Sequence, residues 1–166
     1  MSIGSVHSDL KKTPPKLTMS PWNIPIFRFL LTYLAPKRAT SGQVETSIQT
    51  FDGVELRIHK PRDVEPIAAL IWIHGGGLIV GTPAQDDWRC TALAEELGLL
   101  VISVKYRLAP EHVYPAAIDD CYTTWMTVQK YAQDLGIDPE KIAIGGASAG
   151  GGLAATLALR IRDEGG

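Results

Sequence analysis

The sequence predicts an α/β chain in which an antiparallel hairpin leads into parallel strands flanked by helices. Three observations predict it. Residues 67–73 (Ile-Ala-Ala-Leu-Ile-Trp-Ile) form a continuous apolar run, the mark of a strand covered on both faces of a parallel sheet. Residues 44–50 and 54–60 flank Phe51-Asp52-Gly53, and Asp-Gly between two strand-like segments signals a tight hairpin. Helix-type segments separate the remaining apolar runs, which is the pattern of β-α-β units. The chain has 166 residues, 45% apolar and 20% charged, a globular rather than disordered composition.

The elements follow in order. Residues 1–20 are polar, with Lys11, Lys12, Pro14 and Pro15, and are expected to be loose. Residues 23–34 contain Ile24, Ile26, Phe27, Phe29, Leu30, Leu31 and Leu34, with Arg28 the sole charge, and predict a helix starting near Pro25 and stopping before Pro36. The hairpin follows, then the strand at 67–73. A helix near 86–97 stops at Gly98, whose freedom at positive φ suits a helix end. Next come a strand at 99–105, a helix from about Pro115 to Asp134, a strand at 141–145 and a helix at 149–162. Proline at the first turn and Asp119 and Asp120 soon after agree with helix-start preferences. His59 falls in the alternating strand and is expected to face outward; His7 and His112 are expected on the surface or in loops.

Two glycine motifs carry chemistry. Gly146-Ala147-Ser148-Ala149-Gly150 fits G-x-S-x-G at a strand-to-helix turn, the nucleophile elbow. The turn is so sharp that the residues two before and two after the serine pack together, and only glycine leaves room. It lifts the Ser148 hydroxyl above the sheet and aims the first amides of the next helix at the same spot. Earlier, the apolar strand ends in His74-Gly75-Gly76-Gly77, the HGGG-type loop that offers main-chain N–H groups to an oxyanion. The expected donors are the amides of Gly76, Gly77 and Ala149. His74 is expected to order the glycine loop by hydrogen bonding, not to carry a proton.

A third stretch, Tyr106-Arg107-Leu108-Ala109-Pro110-Glu111-His112-Val113-Tyr114-Pro115-Ala116-Ala117-Ile118-Asp119-Asp120, is by itself a proline-punctuated loop entering a helix. In this order the three stretches resemble the hormone-sensitive-lipase-like family of α/β-hydrolase carboxylesterases over about residues 41–166. The resemblance implies the N-terminal half of an α/β-hydrolase fold, running to the helix after the nucleophile. It implies cleavage of carboxylic esters, of short to medium acyl chain, through an acyl-serine. Ser148 would be the catalytic nucleophile, Gly76, Gly77 and Ala149 the oxyanion hole, and residues 1–40 an N-terminal extension with a cap-type helix. Two positions depart from the family pattern: Ala147 stands where aspartate is usual, and Leu78 where an aromatic usually follows HGGG. They bear on substrate preference and loop rigidity, not on reaction class.

The triad is incomplete in this sequence. The family order is serine, acid, histidine, yet the eighteen residues after Ser148 contain no histidine. Asp163 and Glu164 lie at the far end of the predicted helix, roughly 20 Å from the serine at about 1.5 Å per residue. The chain is therefore expected to be the N-terminal half of a longer enzyme and nearly silent alone, since loss of a triad histidine costs about 10⁶ in turnover. The alternative is a non-catalytic α/β-hydrolase-like module for binding or association, its last parallel strand leaving an edge open to self-association.

Other classes are disfavoured. Gly75-Gly76-Gly77 and Gly81 space as G-x-G-x-x-x-G, one residue off the dinucleotide fingerprint, and the next strand ends at Lys105 where a ribose-binding acid belongs. Gly145–Gly150 lacks the lysine of a phosphate loop. A net charge of −2 with mixed signs gives no reason to expect nucleic acid. Cys90 and Cys121 lack metal or redox spacing and read as buried thiols. No metal or organic cofactor is expected, and the partner is a small-molecule ester. No signal peptide or bilayer-spanning run is read, and one arginine is little basic charge for an interfacial helix, so no stable membrane insertion and a cytoplasmic location are expected.

Overall fold

The structure is a computed structural model that describes residues 23–33 and 38–164. The expectation for residues 1–20 and the end of the first helix near Pro36 lie outside them. Helix α1 spans Ile24–Tyr33. Strands β1 (Val44–Phe51) and β2 (Val54–Pro61) pair antiparallel with Phe51 opposite Val54, closing the two-residue hairpin at Asp52-Gly53. Both turn residues have positive φ, 49° and 81°, the geometry whose twist matches that of paired strands. Strand β3 (Ala69–Ile73) follows, then a short 3₁₀ turn at Pro83–Asp86, helix α2 (Asp87–Leu97) and β4 (Leu100–Val104). Helix α3 (Ala116–Lys130), β5 (Ile142–Gly146) and α4 (Ala149–Asp163) complete the order. Gly98 ends α2 at φ 63°.

The five strands lie in the order β1-β2-β4-β3-β5. Strands β3, β4 and β5 are mutually parallel, and β2 joins β4 antiparallel. Alternation along β3 sorts its side chains. Ala69, Ile71 and Ile73 enter the main core with Leu56, Ile102 and Val104, against Cys121, Trp125 and Val128 of α3 and Leu153 and Leu157 of α4. Leu70 and Trp72 point to the opposite face, against Cys90 and Ala94 of α2 with Val101. Helices thus cover both faces, which is why every residue of β4 is buried.

Two expectations need correction. Helix α3 stops at Lys130, four residues short of Asp134, because Tyr131 turns aside to pack on Phe51, ring centroids 4.9 Å apart. His59 does not face outward; it is fully buried. Its strand pairs on both edges and α2 covers its polar face, so the alternation in β2 separates two interior faces. The ring joins a buried network: Nδ1 lies 3.0 Å from Thr46 Oγ1, and Nε2 lies 3.3 Å from Ser103 Oγ and 3.8 Å from Asp87 Oδ1. Asp87 is held in turn by Arg57, whose Nε donates at 2.7 Å. Burial pushes the His59 pKa down to about 4, against the opposing pull of the Asp87 carboxylate.

Candidate active site

The carboxyl ends of β3 and β5 are neighbours in the sheet, with Ile73 opposite Gly146. Each chain leaves its strand through a glycine turn, and the turns interlock. The amide of Ala147 donates to Ile73 O at 3.1 Å. A Cβ on Gly150 would press into Ile73 O and lie 2.5 Å from His74 O; one on Gly146 would strike Gly150 O and lie 2.7 Å from Ile73 O. A Cβ on Gly75 would stand 2.8 Å from Ala147 O and 3.3 Å from Ser148 Cβ. These approaches give the steric reason for glycine at the flanks of the elbow and at the base of the HGGG loop.

Ser148 sits at the N-cap of α4 with φ 51° and ψ −119° and is exposed to solvent. For a residue with a Cβ this region costs about 1–3 kcal/mol and persists only where the surroundings enforce it. They do: Gly150 N–H donates to Ala147 O at 2.8 Å and Gly151 N–H to Ser148 O at 2.9 Å, closing the first turn beneath the serine. Ala149 begins the helix, so its amide is one of those with no acceptor inside α4.

The HGGG loop curls around the Gly76 carbonyl, which accepts the N–H groups of Ile79 at 3.1 Å and Val80 at 3.0 Å. Gly76, Gly77 and Leu78 all have positive φ, 128°, 62° and 64°. A Cβ on Gly76 would drive into Val80 O, so this turn requires glycine there. His74 is buried, its Nδ1–H donating to Gly75 O at 2.8 Å and its ring stacked on Tyr106 at 4.2 Å. Burial lowers its pKa against the hydrogen bond to Gly75. Both contacts tie the ring in place, to the base of the glycine loop and to Tyr106 just beyond β4.

Several supports carry no signal of their own in the sequence. The Tyr106 hydroxyl donates to His74 O at 2.9 Å, and Gln85 Nε2 donates to Gly75 O at 3.2 Å. Ala109 N–H donates to Leu78 O at 2.8 Å, tying the 106–115 loop to the glycine loop. A largely apolar cavity of about 350 Å³ opens beside Ala149, lined among others by Leu78, Ala109, Tyr114, Ile118 and Leu153. Among the described residues, no cluster of three His, Cys, Asp or Glu side chains is placed to hold a metal ion. His112 is exposed at the cavity rim, while Asp163 and Glu164 pair with Arg162 and Arg160 at the far end of α4.

A strand-turn-helix serine against a glycine loop at adjacent parallel strand ends defines a class, the α/β hydrolases, and comparison with known proteins agrees. A family profile described as the alpha/beta hydrolase fold matches residues 70–166. Ethyl acetate hydrolase of Pseudomonas putida is 40% identical over 122 residues, 70% of this chain and 38% of that protein. Carboxylesterase NlhH of Mycobacterium tuberculosis is 39% identical over 137 residues, 79% of this chain and 42% of that protein. The solved structure of a bacterial heroin esterase superposes with a TM-score of 0.76 at 38% identity, covering 88% of this chain and 48% of that one. The chain belongs to the α/β-hydrolase family. It spans less than half the length of these relatives.

Proposed function

We propose that the chain carries the nucleophile and oxyanion hole of a serine carboxylesterase acting on small esters of short to medium acyl chain. The observation that supports this best is the strained, exposed Ser148 backed directly by Gly75 of the glycine loop. In the proposed reaction the Ser148 Oγ attacks the ester carbonyl while a general base takes its proton. The oxyanion accepts the amides of Gly76, Gly77 and Ala149, each worth about 10²–10³ in rate. The carbonyl re-forms, the alcohol leaves with the proton, and water then hydrolyses the acyl-serine by the same route.

No histidine follows Ser148 in this sequence, so the acid and base of the triad are proposed to come from residues beyond it. The chain alone is then nearly silent, because its serine stays protonated and weakly nucleophilic. Residues 41–166 form the hydrolase core in this reading, with α1 as part of a cap, in a cytoplasmic protein. The test is fluorophosphonate labelling of Ser148 with p-nitrophenyl ester turnover, on this chain and on a version extended through the relatives' length. Reaction confined to the longer protein supports the reading; failure of the longer protein to label Ser148 would end it.

A second reading, an association module, draws on the edge position of β5 beside exposed Ala143 and Leu159. Sedimentation that reports a concentration-dependent dimer in a protein whose serine does not label would favour it.

A further inference from the structure

One charged side chain ties the N-terminal helix to both loops that flank the proposed oxyanion hole. Arg28 of α1 donates from Nε to Ile79 O at 2.7 Å and from Nη2 to Ala109 O at 2.8 Å. Its Nη1 and Nη2 also grip both oxygens of Glu111, at 2.8 and 2.9 Å. These partners lie 51 to 83 residues away in sequence. A planar, forked guanidinium is the side chain that can serve three acceptors at once. The Glu111 carboxyl is held down to about 2 by this partner.

Ile79 is no ordinary loop position. Its N–H closes the turn onto Gly76 O while its carbonyl faces Arg28, so the peptide units around it link the guanidinium to Gly76. The three residues before it all have positive φ, and Leu78 among them carries a side chain. Such a turn holds its shape only if both ends are fixed. Gly75, at the near end, is fixed by His74, Gln85 and the elbow. The far end meets Arg28 through Ile79, and Ala109 through Leu78.

We propose that Arg28 is a positioning residue: by holding the Ile79 and Ala109 carbonyls it sets where the Gly76 and Gly77 amides stand relative to Ser148. Its role in turnover rests on the esterase reading; its hold on the loop does not. Helix α1 is then a working part of the site as well as part of a cap, and a displacement of α1 is felt at the oxyanion donors.

The experiment uses the full-length protein with Arg28→Lys and Arg28→Gln, each compared with wild type in amide hydrogen exchange and in p-nitrophenyl ester kinetics. Lysine keeps the charge but has one nitrogen, so it cannot replace the fork. Both variants are expected to raise exchange in a peptide covering 76–81 by roughly 10-fold, with β4 and α3 unchanged. Both should lower kcat by about 10-fold or more while KM stays within about twofold, since a displaced oxyanion donor acts in the transition state. Wild-type exchange at 76–81 in both variants overturns the proposal, and so does wild-type kcat in Arg28→Lys, which would reduce the role to charge. If the wild-type protein turns over no ester, the esterase reading fails and exchange alone decides whether Arg28 holds the loop. If Arg28→Gln does not fold, Arg28→Lys decides both readouts.

Discussion

The buried His59 makes the stability of this fold depend on pH in a direction that can be worked out. Its folded pKa, about 4, lies below the 6.5 of a solvated imidazole. The unfolded chain therefore binds the extra proton first as pH falls, and stability present above pH 6.5 is lost progressively down to about 4. Each tenfold change in proton affinity is worth about 1.4 kcal/mol, so the whole difference is on the order of 3 kcal/mol, of which about 2 kcal/mol should disappear between pH 7 and pH 5. The network gives this its cause. The ring nitrogens face the Thr46 and Ser103 hydroxyls, with the Asp87 carboxylate 3.8 Å away and already taken by Arg57. The perturbation is His59→Gln, which keeps a polar group in the network but does not titrate. The assay is urea unfolding at pH 7 and pH 5 for both proteins. Wild type should lose about 2 kcal/mol more than the variant over that interval, although the variant is the less stable at pH 7. Equal losses in both proteins would refute the reasoning, because the imidazole would then be charged in the fold or solvated.

Two further outcomes are expected. Gly152→Ala meets open space in a helix and should stabilise by roughly 0.5–1 kcal/mol, whereas Gly150→Ala, two residues earlier, drives a Cβ against backbone at Ile73 and His74 and should destabilise by about 1–3 kcal/mol; thermal melts of the pair check the sign. Burial pushes both the Cys90 and Cys121 thiols up to about 12, so a disulfide-exchange reagent at pH 8 should react with neither in the native protein and with both in denaturant.

The parts of the fold legible in the sequence are those whose cause is local. Asp52-Gly53, Gly98 and the elbow are each required by a backbone angle or a close approach within a few residues, and each stands where its motif predicts. The apolar run before His74 states its own burial on both faces. The burial of His59 is not legible because its surroundings come from elsewhere: β4 on one side of β2, β1 on the other, and α2 above. An alternating strand looks the same in sequence whether its polar face meets water or a second layer. Arg28 is hidden for a related reason. One arginine in an apolar helix has no local pattern, and its partners become neighbours only when the 76–80 and 106–115 loops leave adjacent strand ends.

That adjacency is what makes two glycine motifs into one site. The residues Gly75 and Ser148 are far apart in the chain, and α2, β4 and α3 intervene between their strands. Had β5 paired anywhere but at the free edge of β3, Ile73 O would have met no amide from Ala147. The order β4-β3-β5 puts the serine turn beside the HGGG turn, with two paired strands as a rigid base. The glycines are needed because the strands bring their exits so close: Gly146 and Gly150 are pressed against the end of β3, and Gly75 against the elbow. The strain at Ser148 is then held from two sides, by the hydrogen bonds of its own turn and by the paired ends of β3 and β5 beneath it.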